Sequence, residues 1–153
     1  MCDISKKTDL KEVIVYKVCC KRTLPNNKVE YFSIFALQPI VLGKVKKVSE
    51  EKIKELNSIF DSFAQSFRGS PGGNIFMEGR VSGFEDLSNA IILKNRMGYF
   101  RKHPMAILEI KLGGHILWGD SSGIIPVTSS EEIDIKKKTF AGTKILSFRE
   151  INT

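Results

Sequence analysis

The feature that most constrains this chain is a pair of apolar, β-rich runs separated by a short stretch of turn chemistry. Residues 12–20, Glu-Val-Ile-Val-Tyr-Lys-Val-Cys-Cys, are dominated by β-branched and apolar types, the pattern of a strand covered on both faces for much of its length. Thr23-Leu24-Pro25-Asn26-Asn27 follows, in which Pro presets φ and Asn tolerates the left-handed region. The run from Val29 to Leu37 is again strand-like and rich in aromatic residues. Two such runs joined by a turn predict a β-hairpin.

Further along, Pro39 interrupts and residues 40–48 read as a third strand with Gly43 inside it. The clearest helical pattern then begins. Ser49 suits an N-cap, Glu50 and Glu51 suit the positive end of the helix dipole, and Val48 and Ile53 stand at hydrophobic-staple positions. Ile53, Leu56, Phe60, Phe63 and Phe67 recur at three- and four-residue spacing, one helical face that packs on a sheet. The pattern predicts a main helix over about 49–67, ended by Gly69 and Pro71. After a glycine-rich stretch over 69–83, in which residues 74–81 read as a strand, a second, shorter helix is expected over about 84–96. Its inner side would carry Leu87, Ala90, Ile91 and the stem of Lys94. The last third reads as strands: 105–112, a Gly113-Gly114 hairpin turn, 115–118, short pieces over 124–127 and 133–137, and a closing strand over 144–151. Residues 1–11 read as a polar, frayed start.

The expectation is therefore an α+β fold: a bent antiparallel or mixed sheet with one main helix (about 49–67) and one shorter helix (about 84–96). At 153 residues without linker, repeat or low-complexity tract, the chain reads as a single domain over 1–153. No stretch approaches the roughly 20 apolar residues of a membrane-spanning helix, and the first residues lack the apolar core and cleavage site of a signal peptide. The expected location is cytoplasmic, with no membrane partner. Three cysteines, Cys2, Cys19 and Cys20, form no Cys-x-x-Cys pair, and neighbours on a strand point to opposite faces. They read as free thiols of a reducing compartment.

The net charge of +7, from 24 Lys and Arg against 17 Asp and Glu, favours an anionic partner: a nucleotide, a nucleic acid or an acidic protein surface. The two histidines, His103 and His115, sit in no metal-ligand spacing, so neither metal nor cofactor is expected. There is no Gly-x-Ser-x-Gly elbow. Arg68-Gly69-Ser70-Pro71-Gly72-Gly73 follows a helix, whereas a phosphate-cradling loop must precede one. The stretch Tyr99-Phe100-Arg101-Lys102-His103 interleaves rings with cations, chemistry that stacks on bases and pairs with phosphates. His115 and Trp118 on the neighbouring hairpin extend it. The candidate ligand-binding set is Lys17, Tyr99, Arg101, Lys102, His103, His115 and Trp118. No catalytic residue is assigned.

Two resemblances bear on these segments. Val15-Tyr16-Lys17-Val18, an aromatic strand with Ser33, Leu42-Gly43-Lys44, Gly83-Phe84 opening a helix through Ala90, Ile107-Leu108-Glu109-Ile110 and Lys144-Ile145-Leu146 together resemble small uncharacterised β-rich domains of phages and large DNA viruses. That likeness implies a compact β-rich domain and is compatible with a viral antagonist of host defence, acting in the host cytoplasm. Separately, Lys17 with Tyr31-Phe32-Ser33 resembles the ADP-ribosyltransferase-like folds, where a basic or imidazole residue on the first strand and a Tyr-Phe-Ser-like segment line a nicotinamide pocket. This sequence has Lys17 where those folds use Arg or His, and its Glu109 and Glu150 are single carboxylates rather than a Glu-x-Glu segment. The leading expectation is a non-catalytic binding module for an anionic partner, and the alternative is a nucleotide-dependent transferase. A carboxylate–tyrosine–cation cluster in one cleft would favour the enzyme, and a basic surface without perturbed carboxylates would favour the binder.

Overall fold

A computed structural model describes residues 3–34, 37–46, 48–59, 79–97, 103–120 and 138–152. The N-terminal runs form the expected hairpin. Strand β2 (Glu12–Thr23) pairs antiparallel with β3 (Val29–Ser33), from Thr23↔Val29 to Cys19↔Ser33. Asn27 adopts φ 66°, and Leu24 N–H donates to the Lys28 carbonyl at 2.8 Å. The chain then doubles back at Leu37, whose φ is 52°. Ser33 Oγ accepts the Gln38 N–H at 2.9 Å, and Ile40 N–H donates to the Tyr31 carbonyl at 2.9 Å, covering part of the outer edge of β3.

The fold class departs from the expectation. The chain is β-rich: seven strands pair, every pair antiparallel, and only two short helices accompany them among the described residues. The expected α+β balance with one dominant helix is overturned by the two longest elements, which are strands: β6 (Met105–Asp120) of 16 residues and β7 (Lys138–Ile151) of 14. Gly113-Gly114 is not a hairpin turn. β6 runs on through it, with a register irregularity between Gly113 and Ile116 and φ 75° at Gly114. Glycine-glycine lets a strand bend and coil as readily as reverse, and here the long partner β7 keeps both halves paired. Local pattern could not separate those outcomes.

Other boundaries shift for related reasons. The polar start contains β1 (Asp3–Lys7), held on the edge of β6 by pairing rather than by its own apolar content. The third strand shrinks to β4 (Gly43–Lys44). Strand β5 (Val81–Phe84) starts at the last residue of the expected 74–81 strand and runs into the start of the expected helix, and α2 spans Leu87–Met97. Helix α1 is described over Glu50–Ile59, with Ser49 Oγ accepting the Lys52 N–H at 3.3 Å as N-cap. Phe60, Phe63, Phe67 and the glycine stretch to residue 78 lie outside the described residues.

The ladder closes on itself. β6 pairs β2, β2 meets β5 at Tyr16↔Phe84, β5 pairs β7, and β7 pairs β6. Closure hides edges that an open sheet would leave unpaired. One core fills the ring side with Val15, Cys19, Leu108, Ile110, Leu112, Ile116 and Phe140. The opposite face, under α1 and α2, buries Val18, Cys20, Phe32, Leu56, Ala90, Leu93 and Ile107. Cys19 and Cys20 therefore feed different cores as free, buried thiols. Burial pushes the Cys19 thiol up to about 12, which withholds the reactive thiolate. Cys2 lies outside the described residues.

The seam between β2 and β5 needs a glycine. A Cβ on Gly83 would stand 2.6 Å from Val15 Cγ2 and 3.0 Å from the Tyr16 carbonyl oxygen. Gly83→Ala is expected to cost about 1–3 kcal/mol through overpacking, read as a lower urea midpoint. An unchanged midpoint would show that the two strands do not approach so closely.

Candidate functional site

The described members of the expected ligand set do not converge. Lys17, on β2, donates from Nζ to the Ser82 carbonyl at 2.9 Å and so helps join β2 to β5. His103 is half-buried just before β6, next to Pro104, whose carbonyl accepts the Lys21 N–H at 3.0 Å. Tyr99, Arg101 and Lys102 lie outside the described residues. His115 is exposed at the bend of β6, with Nδ1 accepting from Arg80 Nη2 at 2.8 Å and its backbone N–H donating to Thr143 Oγ1 at 2.9 Å. Trp118 sits in the second half of β6, beyond that bend.

Trp118 has company that sequence reading did not assign. Register sets Lys6 of β1 directly opposite it on one side and Phe140 of β7 on the other. The indole is half-buried, packed on the ring-side core. Lys6 Nζ stands 4.5 Å from the ring centroid and Lys138 Nζ 5.2 Å. Both lysines are exposed, and among the described residues neither forms an ion pair. Cations over an electron-rich ring are attracted to its face. The pair also places two positive charges around one aromatic plate.

A second cluster lies at the far end of the sheet. Tyr31 and Lys21 are cross-strand partners in the β2–β3 hairpin. Glu150, near the end of β7, accepts from Tyr31 Oη at 2.9 Å and from Lys21 Nζ at 2.9 Å on Oε1 and 3.2 Å on Oε2. Lys21 and then Tyr31 hold the Glu150 carboxyl below its ordinary range against an opposing burial effect, with a smaller contribution from the charge of Lys94. Burial, followed by the carboxylate it donates to, pushes Tyr31 up to about 12. Beside this cluster is a cleft of about 340 Å3 lined by Lys21, Lys94, Met105, Glu150 and Ile151 among others.

Glu109 forms a separate group. Arg149 donates from Nε and Nη2 at 3.1 and 3.2 Å to its two oxygens, and that pairing lowers its carboxyl pKa, with Tyr16 contributing. The register alternates Leu108↔Glu150 with Glu109↔Arg149, so Glu109 and Glu150 point to opposite faces of the sheet. The two carboxylates cannot serve one reacting centre. Among the described residues no cluster of His, Cys, Asp or Glu could hold a metal ion, and no helix is long and apolar enough to cross a membrane.

Part of the second cluster had a sequence signal. The hairpin itself was expected, but the turn chemistry read at residues 23–27 falls one residue short of the 24–28 loop, and the observed register is what sets Lys21 opposite Tyr31. Nothing local links either to Glu150, well over a hundred residues away. Comparison with known proteins adds no constraint: no family model, no curated protein and no solved structure matches the chain significantly.

The depressed Glu150 has a consequence for acid stability. Its folded pKa lies below its unfolded value, so its contribution is present above the ordinary carboxylate value of 4.5 and is lost as pH falls through the folded pKa. Stability should decline from about pH 5 downward, and Glu150→Gln should flatten that decline while lowering stability at neutral pH. Chemical denaturation across the acid range measures it. An identical pH profile in the variant would show that the carboxylate is not held in this way.

Proposed function

We propose that this protein is a non-catalytic binding module for an anionic partner that presents phosphates together with an aromatic base, as nucleotides and single-stranded nucleic acids do. The observation that carries the reading is Trp118 with Lys6 and Lys138 around its ring. Base stacking on an aromatic plate is tolerant of sequence; a base would take the place of an ammonium group now over the ring, and both ammonium groups would then neutralise the backbone. The overall charge of +7 draws such ligands from a distance. An acidic protein surface would use the lysines and leave the indole without a role.

The transferase reading is less well supported. A carboxylate–tyrosine–cation cluster does stand beside a cleft, but Tyr31 and Lys21 hold Glu150 as an anion, which keeps it from serving as a proton donor near neutral pH. Glu109, the other carboxylate that the reading needs, faces away from it.

Trp118 is the one tryptophan of the chain, so its fluorescence reports the site directly. Titration with an oligothymidylate at low salt should quench it, and affinity should fall as salt rises because bound counterions are released. The Lys6→Ala/Lys138→Ala variant should bind more weakly. Its log–log salt slope should be shallower by about 1.4, since each phosphate that a lysine neutralises on a single strand accounts for about 0.7. Absence of quenching at low salt, or an unaltered slope in the variant, would overturn the proposal. Quenching by polyglutamate as strong as by the oligonucleotide would show an acidic polypeptide to be the partner instead.

A further inference from the structure

The cleft at the far end of the sheet differs from the Trp118 surface in chemistry. It wraps the end of the β2–β6–β7 ladder, where β2 contributes Lys21, β6 contributes Met105, β7 contributes Glu150 and Ile151, and α2 contributes Lys94. It is a shallow cleft of about 340 Å3, open to solvent over much of its mouth. Its charge is uneven. Lys21 is engaged by Glu150, whereas among the described residues Lys94 lines the cleft without an ion pair. The cleft therefore carries one positive charge in excess of its carboxylate.

Glu150 is a positioned acceptor. A carboxylate offers about four lone-pair directions. Oε1 accepts from Tyr31 and Lys21, and Oε2 accepts only the longer Lys21 hydrogen bond. One acceptor position on Oε2 is left for a donor from a bound molecule. Met105 and Ile151 supply apolar wall beside it. A ligand that answers all three features has an anionic group for Lys94, a hydroxyl for Glu150 and a part that tolerates an apolar neighbour.

We propose that this cleft binds a small phosphate monoester that carries sugar hydroxyls, with the phosphate on Lys94 and a hydroxyl donating to Glu150. Two sources share this chemistry, a sugar phosphate and a nucleoside monophosphate, and only the second adds a base to cover Met105 and Ile151. The site stands apart from Trp118 and does not depend on the reading of that surface.

Isothermal titration with adenosine monophosphate, ribose 5-phosphate and inorganic phosphate tests it. Either organic phosphate should bind at least about tenfold more tightly than inorganic phosphate, and Lys94→Met should weaken that binding by about tenfold or more, the scale of a charge-assisted hydrogen bond. Tighter binding of adenosine monophosphate than of ribose 5-phosphate identifies the nucleotide as the source, and equal binding identifies the sugar phosphate. Trp118→Ala should leave both affinities within about twofold, since that ring lies beyond the bend of β6. Lys94 contributes no ion pair to the described fold, and an unchanged thermal midpoint in Lys94→Met confirms that the loss is one of binding. No binding by either organic phosphate overturns the proposal. So does equal affinity for inorganic phosphate, or loss of binding in Trp118→Ala with none in Lys94→Met.

Discussion

The pairing of β6 with β7 is the constraint on which the rest of this structure depends. These strands stay paired from Ile107↔Ile151 to Gly113↔Lys144, with one slip between Lys111 and Leu112, pass an irregular stretch, and pair again from Ile116↔Gly142 to Asp120↔Lys138. Because both bend together, the outer edges of the two halves are offered to different partners. The first half of β6 takes β2, and its second half takes β1. The first half of β7 takes β5, and Lys144–Ile145 takes β4. A straight ladder could not bring β5 round to β2, and without that meeting there would be no closed ring around Val15, Leu108 and Phe140.

The bend rests on specific small residues. Gly114 adopts φ 75°, and a Cβ there would run into Thr143 Oγ1. Gly142 approaches the Gly113 carbonyl oxygen, which a Cβ would meet at 3.0 Å. Thr143 Oγ1 then accepts the His115 N–H, supplying a partner where the ladder register is broken. The same bend separates the two proposed sites. Trp118 and its lysines lie on one side of it, while Met105, Glu150 and the cleft lie on the other. Two surfaces with different chemistry follow from one distortion in one strand pair.

Charge is distributed along the same division. On the cleft side of the bend, carboxylates are neutralised one by one: Glu150 by Lys21, Glu109 by Arg149, Glu30 by Arg22 at 3.9 Å. Exposed pairs of this sort add little stability, but they remove negative potential from the sheet. The lysines outside these pairs include Lys94 in the cleft and Lys6 and Lys138 at Trp118, the cations on which both proposed sites rest.

Much of the local structure was legible in the chain. The β2–β3 hairpin follows from Pro25, Asn26 and Asn27 between two β-branched runs, while its register, and with it the opposition of Lys21 and Tyr31, was set by a loop one residue further on than the turn chemistry suggested. The N-cap at Ser49 follows from the capping preference of serine before acidic residues. Free, buried cysteines at 19 and 20 follow from their place in an apolar strand. What only the tertiary structure decided is the balance of the fold and the composition of both surfaces. Gly113-Gly114 suits a turn or a bend equally well in isolation, and the long-range partner β7 selects the bend. Asp3–Lys7 becomes a strand because the edge of β6 supplies hydrogen bonds that its own side chains do not call for. Glu150 meets Tyr31, and Lys6 meets Trp118, across more than a hundred residues of chain. Such meetings are set by which strand edges remain open after the long pair has bent, and no local preference of the residues concerned encodes that.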